Sequence, residues 1–272
     1  MLRRNALFSI AFGACWTSAR AEKHQKSSDN AVYLSFDTGH MGIAPLVARV
    51  LQRQQVQVTF FAAHERTREG DGCLGDYWAP WWRERAREGH AFGSHTWQHA
   101  VWRGDLPAAG GEARFRIQPT AGPDAGQRLV WTASQYCADI RHAAVRLAEV
   151  TGVPTLPLYR APGGKTSAAL LATAERCGWK QVGWSPAGFL GDELPSERYP
   201  NQALLQQALK TIRPGDVLLA HLGIWSRHDP WAPAVLEPLI EGLKARGLTF
   251  HTLREHPACK DWIAQHRTIG RT

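Results

Sequence analysis

The stretch VYLSFD, residues 32–37, combines β-branched and aromatic residues with a single carboxylate at its last position. This composition is typical of a buried β-strand, so we expect Asp37 to lie at the carboxyl end of a strand. Residues 44–55 follow with apolar side chains at helical spacing, and residues 56–62 have the composition of a second strand. The region therefore begins with a β-α-β arrangement, which indicates a parallel sheet.

The same alternation continues to the end of the 272-residue chain. We predict further helices at 77–88, 132–150, 167–177, 202–212 and 234–246, and further strands at 91–94, 156–160, 181–185, 217–221 and 249–253. An alternation of this length predicts a single-domain α/β fold, and a closed or partly closed (β/α)7-type barrel fits it better than an open two-sided sheet. Residues 104–126 interrupt it with five Gly and three Pro, and we predict an inserted surface loop there.

Residues 1–21 have the composition of a secretory signal peptide. Two arginines precede an apolar run that is too short to span a bilayer, and an Ala-x-Ala cleavage site ends at Ala21. We therefore expect an exported protein, periplasmic or extracellular, whose mature domain covers residues 22–272. Lipid attachment at Cys15 is the alternative. No later stretch has the length and hydropathy of a membrane helix.

Charge and cysteine content narrow the function classes. The formal net charge of +8 falls to +5 once the three arginines of residues 1–21 are removed. The basic residues do not form runs, so nucleic-acid binding is not supported. The oligomeric state is left open, with a monomer favoured. Four cysteines remain, whose spacing is not that of a zinc site and which allow one or two disulfides without fixing the pairing: Cys73, Cys137, Cys177 and Cys259.

Ionisable residues follow four of the predicted strands. Asp37, His95, Arg160 and His221 each lie at or just past a strand's carboxyl end, and these ends meet on the face where βα barrels build active sites. His95 and His99 are four residues apart, so on a helical turn both imidazoles can reach one metal ion. Each residue alone also has a structural explanation, such as a helix cap or a buried core histidine. Together they predict a catalytic site.

Four motifs carry a resemblance to a known family. LSFDTG (34–39), SHTWQH (94–99), YRAPG (159–163) and LLAH (218–221) resemble the motifs of polysaccharide deacetylases, carbohydrate esterase family 4, also called the NodB-homology domain. The similarity runs in the same order through nearly the whole mature chain. It implies a deformed barrel that hydrolyses an N-acetyl, occasionally an O-acetyl, group of a glycan with the help of a divalent metal ion.

The resemblance also implies a role for each motif residue. Asp37 matches the general base, Arg160 the residue that orients it, and His221 the general acid that protonates the leaving amine. His95 and His99 match two metal ligands. Zinc is the expected ion, with cobalt, nickel or manganese as alternatives, because two imidazoles discriminate poorly among them. The assignment is chemically coherent, since a bound metal lowers the pKa of water and an acid–base pair performs the two proton transfers.

Thr38 departs from the family pattern, which usually has a second Asp there as the third metal ligand. A water or the Thr38 hydroxyl could complete the shell, or another residue, with His40 and His64 nearest in sequence. The third alternative is a catalytically silent glycan-binding protein. The murein deacetylases that form muramic δ-lactam carry a neutral Asn at this position and resemble the chain around Asp37, which favours peptidoglycan over a chitin-like substrate. If Thr38 faces the ion, Thr38→Asp should tighten metal binding.

Substrate contacts are predicted from the aromatic residues and the arginine motif. The chain has twelve Trp, and Trp184 and Trp225 lie in predicted loops at the active-site face, where they could stack on sugar rings. Pro162 and Gly163 follow the motif arginine and are candidates for the same role. Asp192 is the residue nearest to the family's acidic support for that arginine.

Overall fold

The computed structural model of the protein describes residues 29–107 and 111–266. It has ten strands: β1 (Ala31–Asp37), β2 (Thr59–Ala62), β3 (Ala91–Ser94), β4 (Ala100–Leu106), β5 (Arg114–Pro119), β6 (Leu129–Thr132), β7 (Leu158–Tyr159), β8 (Lys180–Gln181), β9 (Val217–His221) and β10 (Thr249–Phe250). The helices are α1 (Ala44–Arg53), α2 (Ala79–Arg87), α3 (Ala133–Thr151), α4 (Ala168–Arg176), α5 (Asn201–Thr211), α6 (Leu236–Ala245) and α7 (Pro257–Gln265).

Seven strands form one parallel sheet that wraps around itself. Its order is β8-β7-β3-β2-β1-β9, and β10 pairs with the first two residues of β1. The segment after β8 closes the ring against β9, because Ser185 N donates to Val217 O at 3.0 Å and Phe189 forms a parallel bridge with Leu219. This arrangement confirms the predicted α/β fold and its deformed barrel.

Side chains alternate between the two buried faces of the sheet. Phe36, Phe60 and Phe92 on β1, β2 and β3 point outward, and successive ring centroids lie 5.8 and 6.2 Å apart beneath the surrounding helices. The intervening residues point into the barrel, among them Ser35 and Asp37, both buried. Because parallel strands covered on both faces read as continuous apolar runs, a polar residue on the inner face stands out as functional.

The segment 104–126 was predicted to be a loop, and that prediction is wrong. Strands β4, β5 and β6 form a three-stranded antiparallel sheet across it. Phe115 and Ile117 on β5 are buried while Arg116 between them is exposed, which is the alternation of a half-buried strand. Its glycines and prolines belong mostly to the turns that connect these strands. Helix α7 was not predicted from the sequence.

One disulfide joins Cys137 on α3 to Cys177 after α4, whereas Cys73 and Cys259 are free and buried. This resolves the pairing that the sequence left open. None of the described helices has the length and apolarity needed to cross a membrane. The predicted signal peptide, residues 1–21, and Cys15 lie outside the described residues.

Candidate active site

Strand pairing brings the four predicted ionisable residues to one end of the barrel. In the β1–β9 register Asp37 is the partner of His221. In the β3–β7 register Ser94 is the partner of Tyr159, so the residues that follow them, His95 and Arg160, also lie side by side. The prediction that these four residues lie together at one end of the barrel is therefore confirmed.

Arg160 holds Asp37 inside the barrel. Its guanidinium is fully buried and donates through Nη1 to Asp37 Oδ1 at 2.7 Å and through Nη2 to Ser35 Oγ at 2.8 Å. It also lies over the Phe61 ring, with 4.3 Å between Cζ and the ring centroid. Burial raises the pKa of Asp37, but the positive charge of Arg160 and the neighbouring histidines outweigh it, so the net pKa is lowered. The carboxylate is ionised, as a general base must be.

The two histidines of the SHTWQH motif present nitrogen atoms to a shared space. His95 Nδ1 donates to the Arg160 carbonyl oxygen at 2.9 Å, while its Nε2 lies 3.5 Å from Asp37 Oδ2. Burial lowers the pKa of His95 to about 4, so the ring is neutral and carries a lone pair on Nε2. His99 Nδ1 contacts Thr120 Oγ1 at 2.5 Å, and the two ring centroids are 4.8 Å apart. Imidazoles fixed through Nδ1 are typical of metal-ligating histidines.

A strained loop, and not the predicted helical turn, brings the two histidines together. Thr96 has φ 61° and His99 has φ 49°, a left-handed conformation that is costly for a β-branched residue. Side chains hold this conformation in place: Thr96 Oγ1 accepts from Ala100 N at 2.8 Å, and Asp139 on α3 accepts from Gln98 N at 3.2 Å. The helix α3 thus stabilises the geometry of the loop.

Asp192 supports His221 and not the arginine, which corrects the sequence prediction. Its Oδ2 accepts from His221 N at 2.6 Å, and its Oδ1 lies 3.1 Å from His221 Nδ1. Burial lowers the pKa of His221, but Asp192 above all, together with Asp37 and Glu193, raises it to about 9. His221 is therefore protonated at neutral pH and can serve as a proton donor.

Thr38 faces a carboxylate that the sequence analysis missed. Thr38 Oγ1 donates to Glu65 Oε2 at 2.5 Å, and Gly39 N donates to the same oxygen at 2.7 Å. Glu65 lies three residues after β2, whose pairing with β1 brings the two strand ends together. The sequence signal was weak: the segment HERTREGD, residues 64–71, contains several acidic residues and none at a motif position.

His40 and His64, the suggested substitutes for a third ligand, are both engaged in packing. His40 Nδ1 accepts from Gly42 N at 2.9 Å. The His64 ring is stacked on Trp97 with 4.3 Å between centroids. In residues 29–107 and 111–266, no group of three or more His, Cys, Asp or Glu side chains is already arranged to hold a metal ion. The donor set of this end of the barrel nevertheless suits a borderline cation, since two neutral imidazoles supply half of a tetrahedral shell.

The substrate contacts predicted around the arginine motif lie beside the site. The Trp184 ring is half-buried, with Arg160 Cζ 6.0 Å from its centroid. It covers the turn of residues 162–164 so closely that a Cβ on Gly164 would come within 2.7 Å of its edge. Pro162 is buried in this turn, whereas Gly163 is exposed. Trp184 and Gly163 therefore lie near Arg160 with exposed surface, and their contact with a substrate stays a prediction, whereas Pro162 is part of the buried turn.

Trp225 forms a separate aromatic surface, and two arginine side chains lie over its ring. It is 55% exposed, and the guanidinium carbons of Arg66 and Arg68 each lie 5.7 Å from its ring centroid. The His40 ring packs on it with 4.8 Å between centroids. We call these four residues the cationic platform. The cationic platform lies next to the site. His40 directly follows Thr38 and Gly39, which contact Glu65, and Trp225 lies four residues after His221.

Comparison with known proteins identifies the family and supports the fold. Residues 24–182 match the family model described as polysaccharide deacetylase. A chitooligosaccharide deacetylase of Azorhizobium caulinodans is 24% identical over 246 residues, which cover 87% of this chain and 97% of that protein. A family 4 acetyl xylan esterase from Clostridium thermocellum, solved with a cobalt ion, has a TM-score of 0.62 at 21% identity, covering 85% of this chain and 92% of that chain. A CE4-family pseudoenzyme from Bacillus anthracis has a TM-score of 0.61 at 14% identity, covering 85% and 66%.

Proposed function

This chain belongs to the polysaccharide deacetylase family, and we propose that it removes N-acetyl groups from an acid-bearing glycan of the cell envelope, peptidoglycan in preference to chitin-like chains, in a metal-dependent reaction. The observation that carries the proposal is a carboxylate and an imidazole on paired strands, each held by a partner of opposite charge: Arg160 Nη1 lies 2.7 Å from Asp37 Oδ1, and Asp192 Oδ1 lies 3.1 Å from His221 Nδ1. Asp37 is held ionised by Arg160, and His221 is held protonated by Asp192. Amide hydrolysis needs a base and an acid at the same time, and this arrangement supplies both near neutral pH.

His95 and His99 are the residues that would hold the metal ion. A divalent cation there, with zinc favoured for imidazole ligands, supplies a Lewis acid for the acetyl carbonyl and lowers the pKa of water. Asp37 accepts the proton of the attacking water while a carbon–oxygen bond forms at the acetyl group. His221 donates its proton to the amide nitrogen as the carbon–nitrogen bond breaks, which leaves acetate and a free amine. Arg160 keeps the base oriented throughout.

The cationic platform favours an acidic glycan. A sugar ring can pack against the exposed part of Trp225, and the two guanidinium groups that lie over its ring, those of Arg66 and Arg68, match carboxylates on the same glycan chain. Peptidoglycan carries such carboxylates on its peptide stems, and on those lactyl groups from which the stem has been removed, whereas chitin carries none. We expect the double variant Arg66→Gln/Arg68→Gln to lower kcat/KM on peptidoglycan fragments more than on chitooligosaccharides.

A matched control for this substrate test lies on α2. Arg83 and Arg87 are both exposed and sit at the side of the barrel, so Arg83→Gln/Arg87→Gln removes the same charge away from the platform. We expect this control to leave the ratio of the two activities unchanged. Equal losses on both substrates from the platform variant would remove the argument for peptidoglycan.

We propose that the protein is exported to the periplasm or the extracellular space. The composition of residues 1–21 suits a signal peptide, and the disulfide between Cys137 and Cys177 suits an oxidising compartment. The fate of the leader is tested by N-terminal sequencing of the protein recovered from a cell fractionation. A mature terminus at residue 22 in the periplasmic or secreted fraction is the expected result.

The central test is acetate release from peptidoglycan and from chitooligosaccharides by residues 22–272. We expect acetate release that a chelator abolishes and that added Zn²⁺ or Co²⁺ restores, with metal bound near one ion per chain. Release that is indifferent to the chelator would contradict metal dependence. Glycan binding without acetate release under any metal would place the protein with the silent relatives of its fold, of which the Bacillus anthracis pseudoenzyme is one.

A further inference from the structure

We propose that Glu65 supplies the third protein ligand of the metal ion, together with His95 and His99. The family's usual carboxylate at residue 38 is thereby replaced by one from the loop after β2, and Thr38 becomes the residue that positions it. This inference rests on the proposed metal dependence and concerns the residue that completes the site.

The hydrogen bonds of Glu65 hold its carboxylate against residues 38 and 39. Oε2 accepts from Thr38 Oγ1 and from Gly39 N, directly after the proposed base Asp37. Thr38 Oγ1 in turn accepts from Ala63 N at 3.2 Å, so its own proton is directed at Glu65. Within the described residues Oε1 of Glu65 has no hydrogen-bond partner, which leaves one oxygen of the carboxylate available to an ion.

Two contacts link Glu65 to the same two imidazoles. The residue before it, His64, donates from its backbone N to the Trp97 carbonyl oxygen at 2.8 Å, which joins the Glu65 loop to the loop that carries both histidines. On the other side, Thr38 follows Asp37, whose Oδ2 lies 3.5 Å from His95 Nε2. Two neutral imidazoles and one carboxylate have the charge of the usual family shell, so the negative charge missing at residue 38 is restored from another strand.

The role assigned to Thr38 follows from the way protein metal sites are built. Carboxylate ligands are commonly held by hydrogen bonds from residues that do not touch the ion. Here the Thr38 hydroxyl and the Gly39 amide hold one oxygen of Glu65. Because no three His, Cys, Asp or Glu side chains of the described residues are already in a coordinating arrangement, the proposal requires side-chain torsions at this site to change when the ion binds.

A purely structural role is the competing explanation. In that case Glu65 only caps the turn at Thr38 and Gly39. Glu65→Gln separates the two explanations, since the amide oxygen can still accept from both donors but lacks the negative charge that a cation requires. The matched control is Glu69→Gln on the same loop, where the exposed carboxylate accepts from the Tyr77 hydroxyl at 3.0 Å.

The experiment titrates Zn²⁺ alone into the metal-free mature chain, with affinity measured by chelator competition and Co²⁺ absorption as a second readout. We expect Glu65→Gln to weaken Zn²⁺ binding on the order of 100-fold and to change the Co²⁺ spectrum. We expect Glu69→Gln to bind as the unaltered protein does. Circular dichroism in the absence of metal shows whether each variant is folded.

A rescue variant separates the loss of a metal ligand from a general loss of stability in Glu65→Gln. Thr38→Asp combined with Glu65→Gln returns the carboxylate to the usual family position, and we expect it to recover most of the lost affinity. Unchanged Zn²⁺ affinity and Co²⁺ spectrum in Glu65→Gln would overturn the ligand assignment, while metal-dependent acetate release would keep the proposed function intact. If the unaltered protein binds no Zn²⁺ or Co²⁺, the assignment and the metal dependence both fail.

Discussion

The charge of His221 depends on Asp192, so Asp192→Asn tests the assignment of His221 as the general acid. Asp192 is the main reason that the pKa of His221 is about 9 in place of 6.5 despite burial. Without that carboxylate, burial is opposed only by the weaker influences of Asp37 and Glu193, so we expect the pKa to fall toward 6.5. At pH 8 the protonated fraction then drops from roughly nine-tenths toward roughly one-thirtieth, and the rate falls by up to about 30-fold.

The assay is the pH dependence of kcat for acetate release. In the unaltered protein we expect the alkaline limb near pH 9, and in Asp192→Asn we expect it two or more pH units lower, with similar rates near pH 6. Glu193→Gln is the matched control, because its carboxylate lies 4.0 Å from His221 Nε2 and is the weaker influence on that ring. An alkaline limb that stays in place in Asp192→Asn, or that moves equally in the control, would refute the assignment.

The same pKa shift has a consequence for stability. A histidine whose pKa is raised on folding contributes stability below its unfolded pKa, and this contribution is lost as the pH rises through the folded pKa. For His221 the window runs from about 6.5 to about 9, and the contribution below it is on the order of 3 kcal/mol. Urea unfolding should therefore show Asp192→Asn destabilised most at pH 6, with the difference narrowing between about pH 6.5 and 9 and largely gone above pH 9.

Four further substitutions follow from the geometry. Asp37→Asn should abolish acetate release while Zn²⁺ still binds, whereas His95→Ala should lose both, as measured by metal content and acetate assay. Cys137→Ser opens the disulfide-closed loop, whose 40-residue separation corresponds to about 4 kcal/mol of unfolding free energy, to be measured by urea unfolding beside the reduced unaltered protein. Gly39→Ala places a Cβ 2.1 Å from the Gly223 carbonyl oxygen at φ +81°, so we expect a loss of several kcal/mol in the same measurement.

The strands that end in the candidate site residues were predictable because the signal for each strand lies within a few consecutive residues. Apolar runs that end in one polar residue gave β3 and β9 with the same bounds as the structure, and the convergence of their ends follows from parallel pairing. The antiparallel sheet around β5 was not predictable in the same way. Its strands are short, and the glycines and prolines of its turns conceal the alternation of Phe115 and Ile117.

The sequence could not predict which side chains of different loops pair with each other, because this pairing depends on the three-dimensional structure. The histidine motif was recognised, but its left-handed backbone is set by contacts such as that between Gln98 and Asp139 on α3. Asp192 was recognised as an acidic residue near the site, but not its partner, which lies 29 residues away in the chain. The choice of partner decides the chemistry, since the carboxylate beside His221 makes that ring an acid.

Thr38→Asp is the substitution for which sequence and structure give opposite expectations. If residue 38 simply lacked a ligand, a new carboxylate would tighten metal binding. In the structure, Glu65 Oε2 already lies 2.5 Å from the Thr38 hydroxyl, so the added charge meets a carboxylate. Two carboxylates so close cannot both ionise readily, and the pair takes up a proton that a metal ion must displace.

We therefore expect Thr38→Asp alone to give no gain in Zn²⁺ affinity at pH 6, and to lower the melting temperature of the metal-free protein. The same substitution in the Glu65→Gln background should raise the affinity, because the competing charge has been removed. The measurement is chelator competition on both variants at pH 6. Tighter binding by the single variant, of about tenfold or more, would show that residue 38 faces an incomplete shell and that Glu65 does not fill it.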